Sequence, residues 1–108
     1  MNNKIVVAGT VFRVVLVWEL ETGELLRKLE GHNGVIFDCV IMQNGIVTSV
    51  SDDRTVRVWT GDSSVVMYGH TSRIWKVREM DGNRVVTVSE DATVRIWCAV
   101  SGKQLAVF

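Results

Sequence analysis

The chain has 108 residues, 47% hydrophobic and 22% charged, ordinary values for a soluble globular domain able to bury a core. Twelve basic and twelve acidic side chains cancel, so no overall field argues for nucleic acid or an anionic membrane as partner. No apolar run approaches the ~20 residues that span a bilayer, and Cys39 and Cys98 lie far apart without metal-ligand spacing.

Lys4 and the apolar run at 5–12 resemble a signal sequence only loosely. Arg13 interrupts the run, no small-residue cleavage site follows, and residues 5–8 align with later strands. Residues 14–18 and 25–29 read as two more strands, with Thr22-Gly23 turning between them. Four strands follow at 36–42, 46–51, 55–60 and 65–68, and four more at 73–80, 84–89, 93–98 and 104–108. They are short runs rich in Val, Ile and Thr, without proline or a long amphipathic helix pattern. Asn44-Gly45 and Asp81-Gly82 mark the hairpins between first and second strands, and Ser101-Gly102 repeats the Thr22-Gly23 turn. The middle copy has a shorter connection there, residues 61–64. Both cysteines fall in apolar strands and read as buried thiols of a reducing compartment.

The last two groups of strands are copies. Gly31-His32, Ser49, Asp53 and Trp59 recur 38 residues later as Gly69-His70, Thr87, Asp91 and Trp97. A period of this length, opening on Gly-His and closing on Trp, is the sequence signature of a propeller blade. The expected fold is all-β: a β-propeller fragment of about two and three-quarter four-stranded blades, forming an open, incomplete ring. Residues 1–30 make a partial blade lacking its first strand, 31–68 a complete blade, and 69–108 another, ending just before the next repeat would begin. An uncapped blade exposes apolar surface, so a fragment, a truncated gene model or a self-associating piece is expected. Edge strands at 5–8 and 104–108 add a tendency to aggregate.

Ser49, His32 and Asp53 are also the parts of a hydrolase triad. A triad occurs once per site, whereas this set recurs with its Trp attached; Thr87 replaces the Ser, and no Gly-x-Ser-x-Gly elbow surrounds Ser49. A structural network explains every member. The carboxylate accepts one imidazole N–H, and the hydroxyl bridges the other ring nitrogen to the indole, which only donates. No catalytic residue, metal or cofactor is expected, and no Gly cluster suggests a methyl-donor site.

Gly-His, Ser/Thr, Asp and Trp at these spacings resemble WD repeats over nearly the whole chain. The naming dipeptide is altered to Trp18-Glu19, Trp59-Thr60 and Trp97-Cys98, and Phe12 stands where the first copy would have its turn Asp. The resemblance implies a rim that contacts partners, formed by residues after Gly-His and by the residue before the turn Asp. These are Val35, Phe37 and Asp52 in the middle blade, and Arg73, Trp75 and Glu90 in the last. Arg and Trp are common interface anchors, and this pair could stack on a base or grip a phosphate; Phe37 and Trp75 could equally pack between blades.

AGTVF (8–12), GHNGVIF (31–37), SVSDDRTVRVW (49–59), GHTSRIWKV (69–77) and SEDATVRIW (89–97) are similar to one branch of the family. That branch is the WD-repeat scaffold subunit of a tRNA ribose 2′-O-methyltransferase acting on the anticodon loop, and its members are several times longer. The resemblance implies a non-catalytic cytoplasmic scaffold whose partner is the methyltransferase catalytic subunit, with a tRNA contact, no membrane and no small-molecule substrate. Two other classes stay open: a propeller adaptor such as a ubiquitin-ligase substrate receptor, and a hydrolase built on Ser49, His32 and Asp53.

Overall fold

The computed structural model describes residues 5–9, 13–61, 63–81 and 83–108, the side chains of 5–9 excepted. Among them are eleven strands and no helix. β1 (Ile5–Gly9), β2 (Val14–Glu19) and β3 (Leu25–Glu30) form one antiparallel sheet in chain order. The second sheet comprises β4 (Ile36–Ile41), β5 (Val47–Ser51), β6 (Val56–Thr60) and β7 (Ser63–Met67), paired in that order. The third repeats it with β8 (Ile74–Asp81), β9 (Arg84–Ser89), β10 (Val94–Cys98) and β11 (Gln104–Val107). The sheets stack through their faces into an open arrangement in which β4 neighbours both β1 and β8. No sheet closes on itself among the described residues.

Strand ends shift by a residue or two from the sequence reading, and three of the shifts have a local cause. Thr55 and Thr93 precede their strands because their N–H groups donate to Asp53 and Asp91, 2.9 Å in each case, instead of to a neighbouring strand. β7 starts at Ser63, since the short connection lets Thr60 pair with Ser63 directly. Gly45 turns with φ 86°, and Gly23, Gly61 and Gly102 lie near 70°, in the region that glycine enters without steric cost. Gly82 and Asp62 lie outside the described residues, as does Phe12 with the first copy's turn.

Three residues without that licence share one place in the fold. Arg13, Arg54 and Ala92 have φ of 69°, 72° and 71°, each just before its sheet's third-strand position. The Arg54 N–H bonds the Ser51 carbonyl and the Ala92 N–H bonds the Ser89 carbonyl, 3.2 Å each, closing both tight turns. Left-handed backbone costs an ordinary residue about 1 kcal/mol, a strain that surrounding bonds must hold.

Apolar side chains fill two layers. Val15, Val17 and Leu29 meet Ile36, Val47 and Trp59 between the first and second sheets. Met42, Val50, Val56, Val58 and Met67 meet Ile74, Val77, Val85, Trp97 and Ala99 between the second and third. Both cysteines are half-buried and outside any disulfide, not buried as their apolar strands suggested. Cys98 ends β10, where the Ser101 hydroxyl and N–H hold its thiol below the usual range.

Candidate functional site

Two constellations stand out, one inside the sheets and one at their edge. The inner one is built by the turn preceding each sheet and the hairpin within it. His32 Nδ1 lies 2.8 Å from Asp53 Oδ2 and Nε2 lies 2.7 Å from Ser49 Oγ, which also accepts the Trp59 indole N–H at 2.9 Å. In the third sheet His70 makes the same contacts with Asp91 at 2.9 Å and Thr87 at 2.7 Å, and Trp97 donates to Thr87 at 2.8 Å. Both imidazole side chains have no exposed surface.

One proton assignment satisfies every group. The indole can only donate, so the hydroxyl oxygen accepts from it and passes its own hydrogen to Nε2. Nδ1 then carries the ring proton toward the carboxylate. A neutral imidazole completes the chain from indole to hydroxyl to ring to carboxylate. Burial pushes the His70 imidazole down, against the pull of Asp91. Burial pushes the Asp53 carboxyl up, but bonds from His32, Thr55 and the Asn33 N–H outweigh it and hold it well below the carboxylate range. Asp91 is likewise raised by burial and, more strongly, lowered by Thr93, the Thr71 N–H and His70.

Sequence reasoning missed part of this network. The Thr55 and Thr93 hydroxyls donate to the turn carboxylates, and Ser51 and Ser89 accept the N–H of Asp53 and Asp91 at 3.1 Å. Their signal was available, since both pairs recur at the same 38-residue offset. Gly31 and Gly69 are there for close approach: a Cβ would stand 3.1 and 2.9 Å from the indoles of Trp59 and Trp97.

The outer constellation crosses from the second sheet to the third. Phe37 and Trp75 rings are 4.8 Å apart at 47°, and the Arg73 guanidinium sits 5.6 Å from the Trp75 ring centre. Arg73 Nε lies 3.1 Å from Asp52 Oδ1 and 3.9 Å from Glu90 Oε2. Five of the six expected rim side chains thus come together. Val35 contributes through its backbone, its carbonyl accepting the Ser51 hydroxyl at 2.9 Å and the Asp52 N–H at 2.8 Å. Trp75 packs on its neighbour and still keeps 37% of its surface exposed. Further along the inner strands, Asp38 Oδ2 accepts the Val77 N–H at 3.1 Å and pairs with Arg78 at 2.7 Å, a cross-sheet tie that the repeat pattern did not reveal.

Antiparallel sheets stacked face to face, the second and third each pinned by His, Asp, a hydroxyl and Trp, define a β-propeller assembled from WD repeats. The chain belongs to the WD40 family (WD domain, G-beta repeat), which matches residues 23–60 and 61–98. Each matched unit starts outside one sheet's third strand and ends in the next sheet, so the sequence repeat bridges two sheets. The WD40 β-propeller domain of Doa1 superimposes with a TM-score of 0.88 at 20% identity, over 100% of this chain and 37% of that one. The computationally designed Ika8 protein gives 0.88 at 32% identity, over 100% and 34%. Among curated proteins, periodic tryptophan protein 2 homolog of Neurospora crassa is 38% identical over 61 residues, covering 55% of this chain and 7% of that protein. The tRNA (34-2'-O)-methyltransferase regulator WDR6 of Drosophila melanogaster is 31% identical over 71 residues, covering 54% and 7%. The chain therefore spans a small part of the length of these curated relatives.

Proposed function

We propose that this protein is a non-catalytic interaction scaffold whose partner is the catalytic subunit of a tRNA ribose 2′-O-methyltransferase. The observation that carries the scaffold reading is the cluster of Phe37, Trp75, Arg73, Asp52 and Glu90, which joins two sheets and stays partly exposed. Two aromatic side chains on neighbouring strands with an Arg beside them have the composition of interface anchors. The methyltransferase assignment is supported by the similarity to the Drosophila tRNA (34-2'-O)-methyltransferase regulator and by the GHTSRIWKV and SEDATVRIW stretches. The same proposal puts the protein in the cytoplasm, with the methyl donor and the chemistry belonging to the partner and the tRNA in contact with the complex.

The hydrolase reading is disfavoured by position. Ser49 has 0% exposure, and its oxygen already accepts the Trp59 N–H, so its hydroxyl fastens and has no approach for a substrate. Affinity purification of the tagged protein from cell extract tests the assignment. The methyltransferase subunit should co-purify; ubiquitin-ligase subunits in its place would replace this reading with the adaptor class.

A further inference from the structure

We propose that the rim cluster docks a basic segment of a partner protein, one whose Lys or Arg side chain takes the place Arg73 now fills. This rests on the scaffold reading and adds the partner's chemistry. The cluster holds one cation between two carboxylates: Arg73 Nε is 3.1 Å from Asp52 and 3.9 Å from Glu90. Those three side chains sum to a negative charge, so a phosphate approaching Arg73 also meets two carboxylates. A cation meets both carboxylates and the face of Trp75, which binds cations through its ring quadrupole.

All three residues have anchored backbones and exposed side chains. The Asp52 N–H bonds the Val35 carbonyl at 2.8 Å, and the Glu90 N–H bonds the Arg73 carbonyl at 3.0 Å. The Ser72 hydroxyl adds a bond to Glu90 at 3.4 Å. The Arg73 side chain, 44% exposed, reaches the acids across a wet surface where ion pairs contribute little. Phe37 packs against the Trp75 ring at 4.8 Å, and 37% of the Trp75 surface stays exposed. Arg73 is thus an internal stand-in for the ligand, readily displaced by a side chain brought in by a partner.

The test uses a capped peptide of alternating Gly and Arg, its Glu counterpart and a single-stranded oligoribonucleotide, each titrated against the full chain by calorimetry. The Arg peptide should bind and the other two should not. The double variant Asp52→Asn, Glu90→Gln should lose at least tenfold in affinity, while Arg73→Ala should gain severalfold because the internal competitor is gone. All three positions are exposed, and an unchanged thermal midpoint confirms that each variant is folded. Arg73→Ala weakening binding, or preference for the oligoribonucleotide, would overturn the proposal. Co-purification with the double variant separates the two readings. A partner retained at the wild-type level rejects the basic-segment site and leaves the scaffold standing; no partner even with wild type rejects the scaffold.

Discussion

The second and third sheets carry nearly the same residues on the face turned away from the chain's start, and differ in what covers them. Met42, Val50 and Val58 are fully buried and Met67 is 2% exposed, because the third sheet lies on them. At the equivalent places Met80 is 47% exposed, Val88 41% and Phe108, hydrogen-bonded to Val94, 74%. Burial in this architecture is therefore a property of the neighbouring sheet more than of the strand. The inner network shows the opposite behaviour: it is complete in both sheets, since all its members come from one sheet and the turn leading into it.

The sharpest test of this contrast compares Met42→Ala with Met80→Ala. The first should cost about 2–5 kcal/mol through lost contacts and a cavity, the second about 0.5 kcal/mol or less. Equal losses in urea denaturation would show that the third sheet's outer face is covered in solution. Next in size, Ser49→Ala and Thr87→Ala should each cost about 1–3 kcal/mol, because an indole N–H and an imidazole nitrogen lose their partner together. Matching losses in the two sheets would support a self-contained network; a loss confined to the second sheet would tie the network to its covered face.

Acid should act on the network in two stages. His70 is pushed below about 6.5, so the unfolded chain protonates first and its contribution declines as pH falls below that value. Asp53 and Asp91 are held below about 3.9; their contribution is full above that value and is lost as pH falls through their folded range. Unfolding midpoints from pH 8 to 3 should fall gently, then steeply, and His70→Gln should remove its share of the gentle phase. The smallest effect is a gain. Ala92→Gly should stabilise by up to about 1 kcal/mol by relieving a left-handed φ of 71°, read as a higher urea midpoint. An unchanged or lowered midpoint would place the turn's strain elsewhere.

Much of this was legible in the sequence because it is local and repeated. Val- and Ile-rich runs between Asn, Asp and Gly turns located the strands, and the 38-residue offset picked out His32, Ser49, Asp53 and Trp59. Thr55 and Thr93 escaped notice because a Thr opening a Val-rich run reads as β propensity, although its hydroxyl caps a turn. The rim residues were identified through family resemblance, yet their pairing was not: nothing in the local pattern says that Arg73 reaches back 21 residues to Asp52. Cysteine burial was misjudged for the same reason, since exposure depends on the adjoining sheet.

The central claim is that the imidazoles fasten the sheets and leave recognition to the rim. Nitrogen-15 NMR of the His70 side chain tests it most directly. A neutral ring protonated at Nδ1, with a slowly exchanging N–H and a titration below about 6.5, is the expected result. An imidazole that exchanges freely with water and titrates at its ordinary value would contradict it.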